Sequence, residues 1–137
     1  MKTYKIIIVE NDEDEQFFMK EGFEKATGLF EIIAQVGNGD HLFSWLEENP
    51  GSLPDIILSD LNMPGRNGYD IITYMKESPL WSHIPVIITS TSSTPSIIAK
   101  CLALGAADYI VKPETFIAYV PYVEALHQRI EEKHLVR

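Results

Sequence analysis

A three-layer α/β domain, with a parallel five-stranded sheet between two layers of helices, is the fold class this sequence predicts. Three observations predict it. Short runs of β-branched and aliphatic residues alternate five times with longer stretches of helical periodicity. Several of those runs are continuously apolar, as in strands covered on both faces. Each helical stretch is long enough to be a crossover, and crossovers within one sheet are right-handed and make the strands parallel.

The first strand is the unbroken apolar run 6–9 (IIIV). A helix follows over about 13–26, with Phe18, Gly22 and Ala26 four apart, and Thr27-Gly28 stops it. Residues 30–36 alternate Phe30, Ile32, Ala34 and Val36 with Glu31, Ile33 and Gln35, the pattern of an outer strand. Asn38 or Asp40 caps a short helix carrying Leu42, Trp45 and Leu46, which ends at Asn49-Pro50-Gly51. Residues 55–59 (DIILS) form the next buried strand. The loop 62–68 then leads into a helix with Ile71, Ile72 and Met75.

Residues 79–85 are a connector, and 86–89 are the fourth strand. Thr94-Pro95 starts a helix, since proline at the first helical position loses no needed N–H. That helix carries Ile98, Cys101 and Leu102 and stops at Gly105. Residues 109–111 are the fifth strand. A last helix runs from about Thr115, with Ile117, Val120, Val123, Leu126 and Ile130 on its buried face and Pro121 as an interior kink.

Composition narrows the function. The 137 residues have the length of one domain, so a single domain over 1–137 is expected. Twenty acidic residues against 11 basic ones give a net charge of −9. That sign disfavours nucleic acid and anionic membrane surfaces as partners. Cys101 is the only cysteine, which fits a reducing compartment and allows no internal disulfide. The apolar run near the N-terminus meets acid at once and is far shorter than a membrane span. A cytoplasmic protein is the expectation.

Ligands of open parallel sheets bind beyond the carboxyl ends of the strands. Those positions hold Glu10, Asn11 and Asp12 after the first strand and Asp60 after the third. Thr89 and Ser90 end the fourth, and Lys112 and Pro113 follow the fifth. Hard oxygen donors gathered this way repel one another and suit Mg²⁺. A single carboxylate at a strand end can attack a phosphoryl group and form an acyl phosphate. A lysine and a threonine hydroxyl can hold the phosphoryl oxygens. No catalytic triad, zinc site or Walker loop is present in the pattern.

Four motifs, KIIIVEND at 5–12, PDIILSDLNMPGRNG at 54–68, IPVIITST at 84–91 and GAADYIVKP at 105–113, together resemble the receiver domain of two-component response regulators. This is the chemotaxis-type fold, and the connector 79–85 and the hydroxyl-rich stretch after the fourth strand are similar to a single-domain subgroup coupled to phytochrome-type or hybrid kinases. The resemblance implies a flavodoxin-like (βα)5 domain with strand order 2-1-3-4-5 and no output domain. It implies Asp60 as phosphoacceptor, Glu10 and Asn11 at the acidic-pair positions, and Asn62 giving a backbone carbonyl to Mg²⁺. It further implies Thr89 as the switch hydroxyl, Tyr109 as the switch aromatic, Lys112 as the phosphate-binding lysine, and a cis bond before Pro113.

The expected partners are a sensor histidine kinase or histidine phosphotransfer protein, and a downstream protein target. A monomer or weak homodimer is expected, with no activity beyond its own phosphorylation and dephosphorylation. The family has a second acid where this chain has Asn11, which motivates the alternative of a pseudo-receiver binding module. Asp12 is positioned to compensate if its loop turns inward. A flavin or aspartyl-phosphatase reading fits worse, because those families place their phosphate loop or acid after the first strand. Cys101, Trp45 and Trp81 read as packing, and His41, His83, His127 and His134 as scattered, exposed side chains.

Overall fold

Five strand-forming runs become five parallel strands, each joined to the next by a helical crossover. The computed structural model describes residues 2–136. In chain order the elements are β1 (Tyr4–Val9), α1 (Glu13–Lys25), β2 (Phe30–Val36), α2 (Gly39–Glu48), β3 (Ile56–Asp60) and α3 (Gly68–Glu77). They continue with β4 (Val86–Ser90), α4 (Pro95–Leu104), β5 (Asp108–Val111), a 3-10 turn (Phe116–Ala118) and α5 (Tyr119–Glu132). The sheet order is β2-β1-β3-β4-β5, every neighbour pair being parallel. Fold class and strand order are those expected.

Alternation along each strand feeds two cores. Ile7 and Val9 of β1 join Ile57, Ile88 and the inner faces of α2, α3 and α4. Ile6 and Ile8 join Leu58, Ile87 and the inner faces of α1 and α5. Ile6, Ile7 and Ile8 are all fully buried. Each such side chain is worth roughly 1.5–3 kcal/mol by transfer from water. A stack of Phe43 with Tyr74 and Trp81 closes the α2–α3 side, confirming Trp81 as packing.

Local signals set the helix ends. Asp12 caps α1 by accepting from the Glu15 N–H at 3.0 Å, and Asn38 caps α2 by accepting from His41 at 2.9 Å. Asn67 and Asp70 form a reciprocal capping box at α3. Pro95 opens α4, and Cys101 is its one fully buried side chain, while Leu102 faces solvent.

Three expectations are corrected on the C-terminal segment. Pro121 is not an interior kink: it is the third residue of α5, where its missing N–H belongs to the unpaired first turn. Ile117 is 92% exposed, because the chain there is in a 3-10 turn whose phase differs from that of the helix. His127 is buried, with Nε2 2.7 Å from the Lys2 carbonyl oxygen and its ring packed against Tyr4 and Phe30. No helix among the described residues is long and apolar enough to cross a membrane.

Candidate functional site

The carboxyl edge of the sheet gathers side chains that the sequence keeps as much as 102 residues apart. Asp60 ends β3 and lies beside Thr89 of β4, its partner across the strand pair. Lys112 follows β5, with its backbone N–H donating to the Ser90 carbonyl at 2.8 Å. Glu10 follows β1 and is 1% exposed. The Lys112 ammonium lies 3.1 Å from Asp60 Oδ1 and 3.3 Å from Glu10 Oε2. Asp60, Glu10 and Lys112 therefore meet, as expected from their strand-end positions.

Both hydrogen-bonding partners of the Asp60 carboxylate lie on one oxygen. The Leu61 N–H donates to Oδ1 at 3.0 Å, and the Lys112 ammonium sits on the same atom. Among the described residues Oδ2 takes part in no hydrogen bond or ion pair. The backbone behind Asp60 is tightly backed: a Cβ on Gly68, at the start of α3, would come within 2.9 Å of the Asp60 carbonyl oxygen. Only glycine lets that helix end approach so closely.

A third carboxylate completes the group. Glu15, on the first turn of α1, places Oε2 3.0 Å from the Lys112 ammonium and accepts from the Tyr119 hydroxyl on Oε1 at 3.3 Å. Burial, a hydrogen bond to Glu15 and the nearby Asp60 charge raise the Glu10 pKa, against the pull of Lys112. For Glu15, burial is outweighed by hydrogen bonds from Glu10 and Lys112, and its pKa is lowered. Of the two, Glu10 is therefore the more readily protonated. Burial works against the charge on Lys112, but Asp60, Glu10 and Glu15 together raise its pKa and keep it an ammonium.

The remaining expected residues divide. Thr89 is buried and its hydroxyl accepts from Tyr122 at 2.6 Å. Tyr109 is buried, its hydroxyl donating to the Ser92 carbonyl at 2.7 Å. Asn11 and Asn62 are exposed at the rim. Asp12 does not turn inward, because its carboxylate is committed to capping α1. The bond before Pro113 is not cis; no cis peptide occurs among the described residues. The trans form is the intrinsically favoured one for an X–Pro bond, and here it already delivers the ammonium to the carboxylates.

Sequence reasoning missed Glu15, Tyr119 and Tyr122. Glu15 reads as an ordinary acid in a first helical turn, three residues after its cap. The two tyrosines are three apart, and so lie on one face of α5, which is the signal that could have found them.

The oxygen set fits Mg²⁺ in kind: carboxylates of Glu10 and Asp60, the amide oxygen of Asn11 and the backbone carbonyl of Asn62. It is one charge short of a three-carboxylate site, and no cluster of three His, Cys, Asp or Glu side chains arranged for a metal occurs among the described residues.

The response regulator receiver domain model matches residues 6–123. The chain is similar to the two-component response regulator ORR12 of Oryza sativa subsp. japonica, 48% identical over 59 residues, 43% of this chain and 49% of that protein. The match thus spans about half the length of that relative. It is also similar to the two-component response regulator-like APRR5 of Arabidopsis thaliana, 37% identical over 81 residues, 59% of this chain and 14% of that protein. Among solved structures, the phosphorylated cyanobacterial phytochrome response regulator RcpA superposes with a TM-score of 0.80 at 26% identity, over 93% of each chain. The signal receiver domain of a histidine kinase from Syntrophus aciditrophicus gives 0.69 at 29% identity, over 93% of this chain and 92% of that one.

Proposed function

We propose that this chain, which belongs to the response regulator receiver domain family of two-component systems, accepts a phosphoryl group on Asp60 and so switches a protein-binding face. The observation that carries this reading is the Lys112 ammonium held 3.1 Å from Asp60 Oδ1 by two further carboxylates, in a buried corner of the sheet edge. A phosphorylated histidine on a sensor kinase or phosphotransfer protein is the donor. The N–P bond breaks, the Asp60–O–P bond forms, and the histidine nitrogen leaves with the electron pair.

The chain's own groups supply positioning and charge. The Leu61 N–H and Lys112 fix Oδ1, which leaves Oδ2 as the attacking oxygen. Lys112 neutralises charge on the phosphoryl oxygens and afterwards holds them. Thr89 supplies a hydroxyl donor. Glu10, Asp60, Asn11 and the Asn62 carbonyl would hold Mg²⁺, which supplies further neutralisation of the phosphoryl oxygens. Tyr109 serves as the switch aromatic. The single domain works in the cytoplasm, as monomer or weak homodimer, and its output is binding to a downstream protein.

Incubation with acetyl phosphate and Mg²⁺ tests the reading. One phosphoryl mass should add to the chain, and Asp60→Asn should take up none. Equal labelling of that variant would end the assignment. The pseudo-receiver alternative rests on Asn11 alone. The Lys112 ammonium placed 3.1 Å from Asp60 Oδ1 favours the phosphoacceptor reading over it.

A further inference from the structure

In this structure Thr89 is committed to α5. Its hydroxyl oxygen accepts from Tyr122 at 2.6 Å, and this is the one hydrogen bond of either hydroxyl among the described residues. Thr89 is 1% exposed and Tyr122 6%. Asp60 is Thr89's partner across the strand pair, yet receives no bond from it. One turn earlier on α5, Tyr119 lies edge-on to Tyr122 with ring centroids 5.5 Å apart, and donates to Glu15. Glu15 in turn holds Lys112. The hydroxyl of Asp60's strand partner and the ammonium beside Asp60 are thus each tied to a tyrosine at the start of α5. That helix start has no side-chain cap and follows a 3-10 turn.

We propose that Tyr122 is a positioning residue that latches the Thr89 hydroxyl to α5, so that phosphorylation of Asp60 and release of the start of α5 form one equilibrium. This rests on Asp60 being the acceptor. A phosphoryl group offers Thr89 a charge-assisted bond stronger than a neutral one. When Thr89 turns to it, the Tyr122 hydroxyl is left buried without a partner, which folded proteins avoid. The start of α5 must then shift or admit water. The two states have opposite partners for Thr89, and phosphate biases the population between them. The latch opposes phosphorylation, and its removal favours it.

The test follows Asp60 labelling of the full chain by acetyl phosphate and Mg²⁺ in wild type, Tyr122→Phe, Thr89→Val and the double variant. Tyr122→Phe should speed labelling about three- to tenfold, the scale of one hydrogen bond. It should have no effect on top of Thr89→Val, which a general packing role would not reproduce. A rate unchanged or slower in Tyr122→Phe, or the same rise in both backgrounds, overturns the latch while Asp60 keeps its role. A wild type that takes up no phosphate removes the acceptor reading and the latch together. A second measurement needs no variant. Proton NMR of the ¹³C-tyrosine-labelled wild type reports the Tyr122 hydroxyl proton. Beryllium fluoride, which mimics the phosphoryl group on a carboxylate, should shift or abolish that resonance. An unchanged resonance with beryllium fluoride bound overturns the proposal.

Discussion

Asn11 is the residue at which this site departs from a pair of acids after the first strand, and its amide lies at the exposed rim. An amide oxygen can ligate Mg²⁺ but adds no charge, and ligand charge sets much of the affinity of hard-cation sites. Asn11→Asp should tighten Mg²⁺ binding by on the order of tenfold, read by titration calorimetry. An unchanged affinity would show that position 11 does not reach the metal. At this scale the sequence was informative where a strand end fixes a side chain's place. Glu10, Asp60 and Lys112 follow or end apolar runs, and parallel strands align those ends. Glu15 was illegible because a helix fixes only its face, and the partner across that face, Lys112, is 97 residues away.

At the scale of elements, α1 and α5 meet closely at Gly22. A Cβ on Gly22 would come within 2.7 Å of the Tyr119 Cβ, so α5 must give way to any larger residue there. Gly22→Ala should cost about 1–3 kcal/mol by overpacking, despite alanine's better helix propensity. Pro121→Ala, by contrast, should change stability by less than about 1 kcal/mol, because no N–H of the first helical turn has an intrahelical partner. Urea denaturation of both variants checks the pair, and a gain near the roughly 3 kcal/mol scale of interior proline effects would place Pro121 deeper in the helix. The same segment shows why helix starts resist sequence reading. Ile117 sits in phase with Val120 if the helix begins at Thr115, but the 3-10 turn resets the phase, and Ile117 turns to solvent. His127 erred the other way. It is four residues after Val123 and three before Ile130, on the buried face, where a polar type disguised a core position.

Across the whole molecule, β5 and α5 are joined by Asp108, which binds Arg129 at 2.8 and 2.7 Å and Lys133 at 3.2 Å. Burial alone would raise the Asp108 pKa, but Arg129, the Tyr109 N–H and Lys133 outweigh it and hold it below its ordinary 3.8. A depressed folded pKa contributes stability above the unfolded value, and that stability is lost as pH falls through the folded one. Asp108→Asn should therefore unfold at lower urea than wild type at pH 7, and the gap should narrow below about pH 4. A gap independent of pH would mean that the carboxylate's charge contributes nothing.

The sheet also acts as a yardstick for the site. Asp60 faces Thr89 on one strand pair, and Ser90 faces Val111, the neighbour of Lys112, on the next. Adjacent strands are about 4.8 Å apart whatever the chain does between them. The distance from acceptor to hydroxyl is therefore graduated by backbone ladders and does not depend on how long each excursion through a helix happens to be. Insertions or deletions at the far ends of the crossovers should leave this spacing untouched, while side-chain rotation remains the quick degree of freedom by which the corner answers an arriving anion.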